Sequence, residues 1–146
     1  MGEVRVQVEL INAGDEVLVR RGLLIPEKVR RYTADALVDT GTVASVLPIH
    51  VVEQLGLVTI GKARAEYANG SEETVDLTEP VGIDINGRRA TEETLVLGSE
   101  VLIGQTVLER MDLLVDCVSK QLVANPSHPD QPVLKVKYCA TVHRQV

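Results

Sequence analysis

From the first residues, apolar side chains fall at every second position: Val4, Val6, Val8 and Leu10 alternate with Arg5, Gln7 and Glu9. A period of two puts one set on a core face and the other in water, and only a β-strand has that geometry. The alternation returns around Leu95, Val96 and Leu97, and again in "VLKVKY" at residues 133–138. Turn chemistry separates these runs at Asn12-Ala13-Gly14-Asp15, at Ala68-Asn69-Gly70-Ser71 and at Asn86-Gly87. Asn-Gly tolerates the positive φ of hairpin tips, so hairpins are expected over about 64–77 and 81–97. The chain therefore reads as all-β, relieved by two short helices. "PIHVVEQLGL" places Pro48 at a first helical position, Val51, Val52 and Leu55 on one face, and Gly56 at the end. "GQTVLERM", after Gly104, sets Val107, Leu108 and Met111 at helical spacing.

A chain of 146 residues suits one domain with one core. With no Phe or Trp the core must be aliphatic. The net charge of −6 argues against nucleic acid as a partner, because binding to it runs on Lys and Arg neutralising phosphates. The N-terminus lacks a signal-peptide core, and no apolar run approaches the ~18 residues of a membrane helix, so neither membrane nor export is expected and the cytoplasm is the default. Cys117 and Cys139 read as free thiols. His50, His128 and His143 are too scattered to suggest a metal site, and no cofactor is implied. "NPSHPDQPV" (125–133), with three prolines, divides a domain over 1–124 from a C-terminal extension, 125–146, that ends in a strand. The acidic residues Glu72, Glu73, Glu92 and Glu93 read as solvated hairpin surface, and Asp84 and Asp116 as structural or solvated.

One carboxylate does not fit the pattern of solvated acids. In "ALVDTGTVASVLP" (36–48), Asp39 directly follows an apolar strand, where a charge is costly unless hydrogen-bonded. The following residues can hold it: Thr40 can lock the loop through its hydroxyl, Gly41 offers the carboxylate an N–H that no Cβ obstructs, and Thr42 can donate a further hydrogen bond to it. Hydrolysis of a peptide bond by carboxylates needs two of them around one water, one to accept a proton and one to give it. Two carboxylates at ~3 Å share a single proton and titrate as a unit.

Four segments, in order, resemble a retropepsin-type aspartic protease, in particular the small bacterial and archaeal members. They are "ALVDTGTVASVLP", "AEYANGSEETVDL" for the flap hairpin, "VGIDINGRRATEETLVLG" for the next hairpin, and "VLIGQTVLERMDLLVD" for the apolar-apolar-Gly element with its helix and closing strand. The resemblance covers roughly residues 30–124. It implies a retropepsin-like half-barrel with a flap, working as a homodimer on a polypeptide substrate. Asp39, Thr40 and Gly41 would be the catalytic triplet, with Thr40 forming interlocking hydrogen bonds across the dimer. Thr42, Ala68, Asn69, Gly70 and Leu102 would contact substrate, Asn69 and Gly70 from the flap tip. Thr42 stands where family members often have Ala or Ser. The chain also lacks the acidic residues beside this motif that some viral members use to bind substrate.

Only one Asp-Thr-Gly is present, and "LLVDC" (113–117) repeats its apolar lead-in without the Thr-Gly. The second carboxylate must then come from a second copy, meeting the first on a twofold axis. "VRVQVEL", "KQLVA" or "VLKVKY" could supply strands to that interface. Two other readings compete. A silent dimeric peptide-binding module would keep the fold without turnover. "DTGTVAS" also matches a loose Asp-x-Gly-Thr-x-x-Ser pattern resembling the phosphate loop of actin-like kinases, but those folds need two large domains and a second such loop.

Overall fold

The computed structural model describes residues 2–140. Strand β1 (Val4–Asn12) runs into helix α1 (Ala13–Arg20), and a 3-10 turn (Pro26–Lys28) leads to β2 (Arg31–Val38). Then come β3 (Val46–Leu47), α2 (Ile49–Gln54), the hairpin β4 (Thr59–Glu66) and β5 (Glu72–Thr78), and the hairpin β6 (Val81–Ile85) and β7 (Arg88–Glu92). The chain closes with β8 (Leu95–Val96), β9 (Leu102–Ile103), α3 (Gln105–Met111), β10 (Leu113–Asp116) and β11 (Gln121–Ala124). Nine strands form one sheet in the order β4-β5-β8-β3-β9-β2-β1-β6-β7, which curls into a half-barrel, while β10 and β11 pair separately. The core is aliphatic, with Leu10, Ile11, Leu47, Leu55, Ile83, Ile85, Ile103 and Met111 fully buried.

Both expected helices form. Pro48 is the N-cap of α2 rather than its first turn, and Val51 and Val52 face the core. Gly56 then takes φ +62. Its N–H bonds Glu53 O and that of Leu57 bonds Val52 O, so the last carbonyls of the helix are satisfied by a left-handed cap. The tip of β6-β7 is a two-residue turn with Asn86 and Gly87 both at positive φ (52° and 86°), the conformation that Asn-Gly favours.

Two expectations need correction. Asn12-Ala13-Gly14-Asp15 opens α1 rather than a turn. The Asn12 side chain accepts from Asp15 N at 3.0 Å, a bond that serves a helix N-cap as well as a turn, and its amide also donates to Leu55 O at 2.7 Å. Residues 133–138 form no strand and pair with no strand among the described residues, so their alternation has no neighbour. "VRVQVEL" lies in β1, which pairs with β2 over Val4–Ile11 and with β6 only over Glu9–Asn12.

Residues 125–133 are bound to the body. Asp112, at the end of α3 with φ 56, accepts from Asn125 Nδ2 through Oδ1 (3.0 Å) and from Val133 N through Oδ2 (3.1 Å), and His128 Nδ1 stands 2.6 Å from the same Oδ2. The Asn125 amide, then Val133 N–H and His128, hold the Asp112 carboxyl below its ordinary pKa. Buried Arg88 donates to the carbonyls of Met111, Asp112 and His128. Of the other histidines, His50 packs edge-on against Tyr32, and His143 lies outside the described residues.

Candidate functional site

Strand β2 ends beside β9. Leu37 and Val38 pair in parallel with Leu102 and Ile103, Leu37 N bonds Val101 O at 2.9 Å, and Asp39 N bonds Ile103 O at 3.0 Å. The pairing stops there, so Asp39 is the first residue released from the sheet, on a backbone whose last bond is fixed. Its carboxylate is half-buried and held on both oxygens. Gly41 N donates to Oδ1 (2.9 Å) and the Thr42 hydroxyl to Oδ2 (3.0 Å). A Cβ on Gly41 would stand 3.2 Å from Oδ1, which is why the smallest residue follows Asp-Thr.

The loop from Asp39 to Ser45 leans on the start of α3. Gln105 N donates to Thr42 O (2.7 Å) and Thr106 N to Val43 O (3.2 Å), so two N–H groups that open a helix without intrahelical partners are spent on loop carbonyls. This contact is close enough to require Gly104. A Cβ there would meet Val43 O at 2.6 Å and the backbone of Ala44 at 2.8 Å. Ser45, with no exposed surface, is bonded three ways: Oγ accepts from Gly104 N, O accepts from Leu95 N, and N donates to Glu92 Oε2 at 3.0 Å. Glu92 thus binds backbone instead of being only solvated surface. Nothing in the sequence marks it, since Ser45 lies 47 residues away.

Asp39 and Thr40 line a depression of about 280 Å³ together with Val115 and Cys117. A larger one, about 650 Å³, lies between α1, β7 and Arg110 and shares no residue with the Asp39 loop. The smaller is the one that holds Asp39. Thr40 is exposed, and among the described residues its hydroxyl makes no hydrogen bond. Leu102 is half-buried on β9 between Leu37 and Val46.

Ala68, Asn69 and Gly70 form the exposed tip of the β4-β5 hairpin, apart from the loop in hydrogen bonding. Gly70 N bonds Tyr67 O (2.9 Å) and Tyr67 N bonds Ser71 O (2.8 Å), enclosing a three-residue loop with Gly70 at φ +85. Asn69 Oδ1 accepts from Ser71 N and Oγ. Asn69 itself is not at positive φ, so this tip is a longer turn than the Asn-Gly pair alone implies. Among the described residues no three His, Cys, Asp or Glu side chains converge to hold a metal ion, and no helix is long and apolar enough to cross a membrane.

No protein-family model matches the chain, and no curated protein does. Solved structures do. The retroviral protease-like domain of Ddi1 from Leishmania major superposes with a TM-score of 0.55 at 14% identity, covering 86% of this chain and 90% of that one. EIAV protease complexed with an inhibitor gives 0.44 at 25% identity, covering 53% of this chain and 75% of that one. The likeness to the Ddi1 domain shows the fold, which is retropepsin-like.

Proposed function

We propose that the protein is a homodimeric aspartic endopeptidase, similar to the small bacterial and archaeal retropepsins, with Asp39 of each copy forming one dyad. The observation that carries this reading is the Asp39 carboxylate held by Gly41 N–H and the Thr42 hydroxyl at the released end of β2, in a fold with a single such motif. A single carboxylate cannot both accept and deliver the protons of peptide hydrolysis, so a second copy completes the chemistry.

In the dimer a water lies between the two carboxyl groups. The ionised one takes a proton from the water as its oxygen adds to the scissile carbonyl carbon, and the protonated one gives its proton to the carbonyl oxygen. When the tetrahedral adduct collapses, the C–N bond breaks and the nitrogen leaves with a proton returned by the dyad. The fixed donors at Gly41 and Thr42 hold each carboxylate in place, so little reorganisation is needed at the moment of reaction.

The substrate is an extended polypeptide. The hairpin with Ala68, Asn69 and Gly70 at its tip closes over it, pairing with its backbone and excluding water. Leu102 and its aliphatic neighbours favour apolar side chains at the cut. The Thr40 hydroxyls, which make no hydrogen bond among the described residues, bond across the twofold axis. No metal or organic cofactor takes part, and the two exposed free thiols suit a reducing cytoplasm.

The test is cleavage of a diverse peptide library by wild type and by Asp39→Asn, read by mass spectrometry from pH 4 to 8, with molar mass by light scattering. Defined cuts by a wild-type dimer, absent from an equally dimeric mutant, are expected. Cuts that persist in Asp39→Asn, or that EDTA abolishes, overturn the dyad. A dimer that binds peptides and never cuts them makes the protein a binding module of the same fold.

A further inference from the structure

The active-site loop is fixed at its far end by a carboxylate that the chemistry above does not use. Glu92, the last residue of β7, accepts from Ser45 N through Oε2 (3.0 Å) and from the Thr106 hydroxyl through Oε1 (2.7 Å). It therefore bridges the end of the Asp39–Ser45 loop to the first turn of α3. Ser45 is fully buried, so without Glu92 its N–H would be left unpaired away from water. The Thr106 hydroxyl stands 2.9 Å from Val43 O as well, which ties the same bridge to a second point of the loop.

We infer that Glu92 is a positioning residue for the Asp39 carboxylate, acting through Ser45 and Val43 on the loop that carries the Gly41 and Thr42 donors. This rests on the protease reading. The Thr106 hydroxyl has one proton and two oxygen neighbours, Val43 O and Glu92 Oε1, so it can satisfy only one of them at a time. A glutamine at position 92 removes that conflict. Its Oε1 still accepts from Ser45 N, and its Nε2 donates to the Thr106 oxygen while the hydroxyl proton goes to Val43 O. Glu92 thus acts as a two-point hydrogen-bonding bridge, and its charge is dispensable.

The test compares wild type, Glu92→Ala, Glu92→Gln and Thr106→Val on a peptide that the wild type cuts, alongside amide hydrogen exchange at Ser45 by NMR. Glu92→Ala is expected to lower kcat roughly 10- to 100-fold with KM little changed, because misplaced catalytic groups lose rate before they lose binding. Its Ser45 amide is expected to exchange faster. Glu92→Gln is expected to match wild type in both readouts. Thr106 is exposed, so Thr106→Val is expected to fold and to give a milder fall in kcat even if Glu92→Ala fails to fold. Wild-type kcat and Ser45 exchange in Glu92→Ala, wild-type kcat in Thr106→Val, or a Gln variant as impaired as the Ala variant would each overturn the bridge. If no form cuts any peptide, the protease reading fails, and exchange at Ser45 still decides whether Glu92 pins the loop.

Discussion

Two loops of this protein leave strands, carry a glycine and reach the surface, yet they are built on opposite terms. The loop at 39–45 is tied to the rest of the molecule at several points: Asp39 N on β9, the carbonyls of Thr42 and Val43 on α3, and Ser45 on Gly104, Leu95 and Glu92. Among the described residues the tip at 67–71 bonds only within its own hairpin, through Tyr67, Asn69, Gly70, Ser71 and the Tyr67–Glu73 contact. Segments with few tertiary contacts open at low free energy, and densely bonded ones open only with the whole domain. On the protease reading proposed above, holding a carboxylate still and admitting a long chain are tasks given to separate loops.

The comparison breaks first, if it breaks, on catalysis. Asp39→Asn should lower cleavage by about 10³-fold or more with the melting temperature nearly unchanged, whereas Asn69→Ala should cost under about tenfold and chiefly in KM. Equal losses in kcat from both would mean that the tip is part of the chemistry. Next in size is a pair of glycines. Gly104→Ala forces a Cβ into the backbone of Val43 and Ala44 and should cost about 3 kcal/mol in urea unfolding. Gly70→Ala meets no atom within 4 Å and loses only the ease of positive φ, about 1 kcal/mol. Ser45→Ala, which strands the Gly104 N–H in a buried position, belongs between them at about 1–3 kcal/mol.

The smallest effect concerns a third region, clamped by charge. Asp15 is buried and bonded by Arg30 Nε, Nη2 and backbone N, and the Arg30 guanidinium chiefly holds its carboxyl below its ordinary pKa. A lowered folded-state pKa gives stability that is complete above the unfolded value, near 3.8, and fades as pH falls through the folded one. Melting of the wild type should therefore weaken on acidification below about pH 4, and Asp15→Asn should flatten that part of the profile while lowering stability at pH 7. An unchanged acid limb in Asp15→Asn would place the acid sensitivity elsewhere.

What could be read from the chain and what could not differ for physical reasons. Strand alternation, the two Asn-Gly tips and the helices after Pro48 and Gly104 are local patterns, and the sheet and both helices follow them. Two of the groups expected around Asp39, the Gly41 N–H and the Thr42 hydroxyl, lie within three residues of it and were legible for the same reason, whereas the Thr40 hydroxyl, expected to lock the loop, makes no hydrogen bond among the described residues. Helix α1 was not, because Asn12 bonding Asp15 N is the chemistry of a turn and of a cap alike, and Val17, Val19 and Gly14 are weak helix formers. Glu92 was not, because a carboxylate in a hairpin is ordinary until a serine from a distant segment is folded against it. The tail 133–138 carries the alternation of a strand, but alternation names a face and cannot supply a neighbour to pair with.

Arg88 decides how short this protein can be. Its guanidinium is buried against three carbonyls, one of them from His128, and Asp112 beneath it draws on Asn125 and Val133. A chain cut after Ala124 would keep every strand of both sheets and yet leave a buried cation and a carboxylate short of partners. A protease digesting the native protein should therefore nibble back through Ala140 and Tyr138 and stall near Val133, so that the limit of the stable core falls past the prolines.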